Sequence, residues 1–122
     1  KNKVIAIVGA SNNSEKYGNK IYLDLKRSGY KVIPVNPKGE DIEGDKCYKS
    51  VLDYPGEINT IDLVVPAKVG MEVLDKAKQK GIKNVWFQPG SESEEVVKKA
   101  KSLGMNVVTN ACMMVEKNEL GH

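Results

Sequence analysis

Apolar residues fall along the chain in two alternating patterns. Short β-branched runs at 4–8, 32–35, 61–65, 84–87 and 106–109 predict five strands. All but the last are nearly continuous in apolar character, as expected of parallel strands covered on both faces. Between them, apolar residues recur every three or four positions, at Tyr17, Ile21 and Leu25, at Val69, Val73 and Ala77, and at Val96, Ala100 and Leu103. Each set predicts a helix lying on the sheet along one stripe, and Gly29, Gly81 and Gly104 follow these segments as helix stops.

The alternation predicts an α/β fold built from βαβ units: an open, Rossmann-like, five-stranded parallel sheet with helices on both faces. The expected strand order is 3-2-1-4-5, with ligands bound beyond the C-terminal strand ends where the order reverses. Residues 39–60 break the rhythm with a Gly-rich acidic stretch, an extended piece around 46–48 and a short helix near 50–53, in place of a full crossover helix. With 122 residues the chain is expected to form one domain over 1–122.

Charge narrows the function classes. The 19 basic and 16 acidic residues mingle on apparent helices and leave +3, with no basic stripe interleaved with aromatics, so a nucleic-acid partner is not expected. No apolar run approaches the roughly 20 residues of a membrane helix. Two cysteines, Cys47 and Cys112, with no Cys/His cluster, point to a reducing, cytoplasmic setting without a metal.

The candidate chemistry sits where strands end. After the first strand, Gly9-Ala10-Ser11 precedes a helix that opens near Lys16 and Tyr17. Glycine lets backbone approach a phosphate, and a helix N-terminus offers unpaired N–H groups with partial positive charge. The other reading of the same residues is a tight turn in which Ser11 and Ser14 cap the helix. The second strand runs into Asn36, Pro37 and Lys38, which place an amide, a rigid ring and a cation at the same rim. Gly9-Ala10-Ser11 lacks the second glycine of a dinucleotide fingerprint, and Asn36 stands where a ribose-binding acid belongs. Val65, Pro66 and Ala67 follow the third strand, and Gln88, Pro89 and Gly90 follow the fourth. No catalytic set assembles, because the sole histidine is His122, the last residue.

These residues resemble the CoA-binding domain family, small Rossmann-like proteins similar to the first domain of the succinyl-CoA synthetase alpha subunit and of the ADP-forming acyl-CoA synthetases. The resemblance is carried by Val8-Gly9-Ala10-Ser11 with Lys16-Tyr17-Gly18, by Pro34-Val35-Asn36-Pro37-Lys38, by Ser50-Val51-Leu52-Asp53, by Trp86-Phe87-Gln88 and by Cys112-Met113-Met114-Val115-Glu116. It implies coenzyme A as the ligand, with Gly9 and Ser11 at the phosphates, Lys38 near the adenosine phosphates, Val65, Pro66 and Ala67 around the adenine, and Gln88 and Gly90 along the pantetheine arm. Two positions depart from the family pattern. Val64-Val65-Pro66-Ala67 replaces a Phe-Arg-type ending, and Ala111 stands where an arginine often precedes the cysteine.

The resulting expectation is a non-catalytic protein that binds coenzyme A or an acyl-CoA, as a carrier, sensor or regulator. The alternative is the CoA-binding subunit of an NDP-forming acyl-CoA ligase that requires a partner chain. A homodimer or a partner subunit is compatible with either. Cys112 is expected near the thiol end of the ligand, where it either forms a mixed disulfide with CoA or simply packs beside Met113 and Met114.

Overall fold

The computed structural model describes residues 4–88 and 91–109. Five parallel strands, β1 (Val4–Val8), β2 (Lys31–Val35), β3 (Thr60–Leu63), β4 (Asn84–Phe87) and β5 (Asn106–Val108), alternate with α1 (Tyr17–Arg27), α2 (Ala67–Lys80) and α3 (Glu94–Ser102). A 3-10 turn, Val51–Asp53, is capped by the Ser50 hydroxyl, which accepts from the Leu52 N–H at 3.2 Å.

Side chains of each strand point alternately to two apolar cores, as the pleat requires. Ala6, Val8, Ile33, Val35, Ile61, Leu63, Val85 and Phe87 face α2, α3 and the 3-10 turn. Ile5 and Ile7 face α1 through Ile21, Tyr22 and Leu25, joined by Ile42 and Cys47 from the loop after β2. The fold class and the two-sided cover therefore agree with the reading of the sequence.

Two expectations need correction. The α2 stripe is Gly70, Leu74 and Ala77, while Val69 is 40% exposed and Val73 only partly buried. The helix begins at Ala67 with Pro66 outside it; Gly70 and Leu74 take the buried places expected of Val69 and Val73, while Ala77 is buried as predicted. The strand order is β2-β1-β3-β4-β5, not 3-2-1-4-5. The edge position assigned to the third strand is held instead by Tyr48, which forms one parallel bridge to Val35. Tyr48 N–H donates to Pro34 O at 3.0 Å, and Asn36 N–H donates to Tyr48 O at 2.9 Å. One bridge is all that remains of an outer strand there. The chain then crosses back to lay β3 on the other side of β1, so the order reverses between β1 and β3, and a ligand crevice is expected above those two strands.

Candidate functional site

A cavity of about 680 Å³ opens at that reversal, walled by the segments that follow β1, β2 and β3. Gly9, Ser11, Asn12, Asn13, Lys16, Tyr17 and Gly18 come from the first segment, Asn36, Pro37, Lys38, Glu40 and Ile42 from the second, and Val64 and Val65 from the third.

Two glycines make the first wall possible. Gly9 has φ +105°, and a Cβ there would lie 2.4 Å from Val64 O. A Cβ on Gly18 would lie 2.2 Å from Gly9 O, so α1 packs directly on the turn that leaves β1. Both positions exclude side chains and let backbone line the cavity. The capping alternative for Ser11 and Ser14 does not hold. The N-cap of α1 is Lys16, without a side-chain cap, and Ser11 Oγ accepts from Asn13 N–H at 3.0 Å. No acidic residue occupies the first turn of α1, and its positive end borders the cavity.

Asparagines fasten the walls together. Asn36 Nδ2 donates to Ala10 O at 2.7 Å and Asn36 Oδ1 accepts from Lys38 N–H at 2.9 Å, fixing the turn after β2 against the turn after β1. Asn12 Nδ2 donates to Asp41 O at 2.7 Å, and its Oδ1 accepts from Glu43 N–H at 2.9 Å. Asn19, 2% exposed, donates to both Ser11 O (2.8 Å) and Glu43 Oε2 (3.0 Å). Glu43 has φ +50°, a left-handed conformation that these two asparagines hold in place. Further along the same loop, Tyr22 O–H and Lys26 Nζ both donate to Asp45 Oδ2, the latter at 2.6 Å. Lys26, then Tyr22, holds the Asp45 carboxyl below the usual range, and burial with the nearby carboxylate raises the Tyr22 hydroxyl.

Of the predicted site residues, Gly9, Ser11, Lys16, Tyr17, Asn36, Pro37, Lys38 and Val65 line the cavity. Ala10 is fully buried behind it and contributes its carbonyl to Asn36. Pro66 and Ala67 stand at the start of α2, outside the lining. Gln88 is fully buried just past the end of β4 and outside the lining, its Nε2 donating to Asp62 Oδ1 on β3 at 2.7 Å. Gly90 and Cys112 lie outside the described residues. Cys47 is buried away from the cavity lining, and burial raises its thiol.

Sequence reasoning missed Asn12, Asn19, Glu40 and Asp62. Asp62 alone carried a signal, as the single acid inside an otherwise apolar strand. Two lysines against one glutamate leave the cavity wall positive, and neither ammonium forms an ion pair with a described residue. A concave site with backbone at a glycine turn, an open helix N-terminus and two cations suits an extended phosphorylated ligand. Among the described residues no group of His, Cys, Asp and Glu could hold a metal, and no helix is long and apolar enough to cross a membrane.

Comparison with known proteins places this geometry. The chain is 36% identical over 120 residues to the acetate–CoA ligase [ADP-forming] II subunit alpha of Pyrococcus furiosus, covering 89% of this chain and 26% of that subunit. A hypothetical protein from Pyrococcus horikoshii superposes with a TM-score of 0.93 at 46% identity, over 98% of this chain and 84% of the other. The dinucleotide-forming acetyl-coenzyme A synthetase 1 of Ca. Korarchaeum cryptofilum superposes with a TM-score of 0.77 at 34% identity, over 87% of this chain and 25% of the enzyme. The chain thus spans about a quarter of these two ligase relatives. The model of the CoA binding domain matches residues 3–118, and the chain belongs to that family.

Proposed function

We propose that the domain binds coenzyme A in the crevice above β1 and β3, as the CoA-binding part of an ADP-forming acyl-CoA ligase whose remaining domains lie elsewhere. The cavity itself carries this reading. Its glycine turn, the uncapped N-terminus of α1, Lys16 and Lys38 converge where the phosphates would sit, and Val64 and Val65 offer an apolar wall for the adenine. Pro66 and Ala67 come next on the chain, at the start of α2 and outside the lining. The pantetheine arm would leave the phosphates toward the C-terminal end of β4, where Gln88 O accepts from Ser91 N–H.

Similarity to ligase alpha subunits supports the ligase-component reading over the carrier, sensor or regulator reading. The described residues supply binding groups and no nucleophile–base pair, so the domain by itself should form no thioester. Two experiments check this. Native mass spectrometry of the purified protein, followed by denaturation, should release coenzyme A or an acyl-CoA, and release of a nicotinamide nucleotide instead would overturn the assignment. Incubation with acetate, CoA, ATP and magnesium should give acetyl-CoA only when the other ligase domains are added. Turnover by this domain alone would contradict its role as a binding part.

A further inference from the structure

Asp62 sits in the middle of the sheet, on the α1 side, in a cross-strand row between Ile7 of β1 and Trp86 of β4. It is fully buried, and so is Gln88, which reaches it from the end of β4. One hydrogen bond joins them, from Gln88 Nε2 to Asp62 Oδ1 at 2.7 Å. The pair's other two polar atoms, Asp62 Oδ2 and Gln88 Oε1, are buried without any partner.

Both unpartnered atoms are oxygens, and both belong to the same pair. A carboxylic acid and a primary amide can close a ring of two hydrogen bonds, the amide N–H donating to the acid carbonyl and the acid O–H donating to the amide carbonyl. The first of these bonds is present. A single proton on Asp62 Oδ2 would make that oxygen a donor and give Gln88 Oε1 its partner. An ionised carboxylate would instead leave a unit charge in apolar surroundings with one neutral donor, and would leave Gln88 Oε1 unsatisfied.

Among the described residues, nothing on that face compensates a charge. The strand neighbours are Ile7 and Trp86, and the titratable members of the surrounding apolar cluster are Tyr22, Tyr30 and Cys47, all acids that supply no cation. Tyr22 is engaged with Asp45, and α2 and α3 pack on the opposite face. Burial pushes the Asp62 carboxyl up to about 7, with the Gln88 bond acting in the other direction. The pair also lies under the crevice. Val64 and Val65, which line the cavity, follow Asp62 after Leu63 on the chain. Gln88 N–H donates to Leu63 O at 3.1 Å, and Gln88 O accepts from Ser91 N–H at 2.9 Å.

We propose that Asp62 and Gln88 hold one proton as an acid–amide ring that ties the ends of β3 and β4 together, and that release of this proton to solvent loosens the crevice floor. The device belongs to the protein itself and does not depend on which ligand the crevice takes. It makes the junction between Leu63 and Gln88, beneath Val64, tighter in mild acid than in mild base.

The test is a pH titration of the intact, ligand-free chain. The side-chain carboxyl carbon of Asp62, followed by NMR, should titrate as one proton with a midpoint near neutrality, far from the ordinary aspartate value of about 3.9. Trp86, the only tryptophan, should change its emission with the same midpoint. Hydrogen-exchange protection of the Gln88 amide, corrected for intrinsic exchange, should fall about tenfold across the transition. Asp62→Asn keeps an amide ring without an ionisable proton, and there the emission change and the loss of protection should both vanish. A carboxyl carbon that titrates below about pH 5 overturns the proposal, as does a Trp86 transition that persists in Asp62→Asn. Should that variant not fold, the wild-type carbon titration decides alone.

Discussion

Asp45 and Asp62 both serve the α1 side of the sheet, and their surroundings drive them in opposite directions. Asp45 accepts from a cation and a phenol on α1 while its side chain keeps 38% exposure, and its carboxyl is held low. Asp62 has no exposure and one neutral donor, and its carboxyl is pushed up. The number and charge of the donors, set against burial, decide which form of the side chain the fold selects. Asp45 is a strap that fastens the loop after β2 to α1, and it works when ionised. Asp62 works when it is not.

The two therefore give opposite pH dependences. Asp45 contributes stability that is present above the unfolded value of about 3.9 and is lost as pH falls through its lowered folded value. Asp62 contributes stability that is fully present below about 3.9 and is lost as pH rises from there through about 7. Folding stability should accordingly peak in weak acid and decline toward neutrality.

The largest expected effect comes from removing the buried titration. Asp62→Asn should stabilise the domain at pH 8 by on the order of 3 kcal/mol and change little at pH 4, as read by urea denaturation at both values. Equal effects at the two pH values would erase the contrast between the aspartates. Tyr22→Phe removes the buried donor to Asp45 and should cost about 1–2 kcal/mol at pH 7, a loss that shrinks once acid protonates Asp45. A Tyr22→Phe deficit that stays constant down to pH 2 would instead point to packing.

Charges in the open crevice offer a third case. Lys38→Ala should weaken coenzyme A binding by about 1–2 kcal/mol, roughly tenfold, and Glu40→Gln should tighten it by a smaller factor, both measured by calorimetry at fixed salt. A Glu40→Gln variant that binds more weakly would mean that this carboxylate holds the ligand or the wall. The smallest effect belongs to Lys26→Ala, which removes a half-exposed cation and should cost under about 1 kcal/mol. A larger loss there would show that Lys26 matters beyond its ion pair.

Strands were the most legible part of the sequence, because buried parallel strands are unbroken apolar runs and helices break them at regular intervals. Their order was not legible, because the edge strand has shrunk to Tyr48, and a single bridge leaves no periodic trace. The first two positions of the α2 stripe were misread, Val69 and Val73 for Gly70 and Leu74, because a glycine carries no apolar signal and yet faces inward. At the site, the glycine turn and Lys38 could be read from chemistry at a strand end. Asn12 and Asn19 could not, since an asparagine announces no partner, and theirs are backbone and side-chain groups from 8 to 31 residues away. Asp62 could be seen as odd within β3, but its meaning required Gln88, which only the β3–β4 pairing brings beside it.

Binding of coenzyme A in the crevice above β1 and β3 is decided by isothermal calorimetry of the purified domain against coenzyme A and NAD, under identical buffer and salt. Coenzyme A should bind saturably, more weakly in Lys38→Ala, and NAD much more weakly or not at all. Equal or tighter binding of NAD, or coenzyme A binding that is indifferent to Lys38, would contradict that assignment.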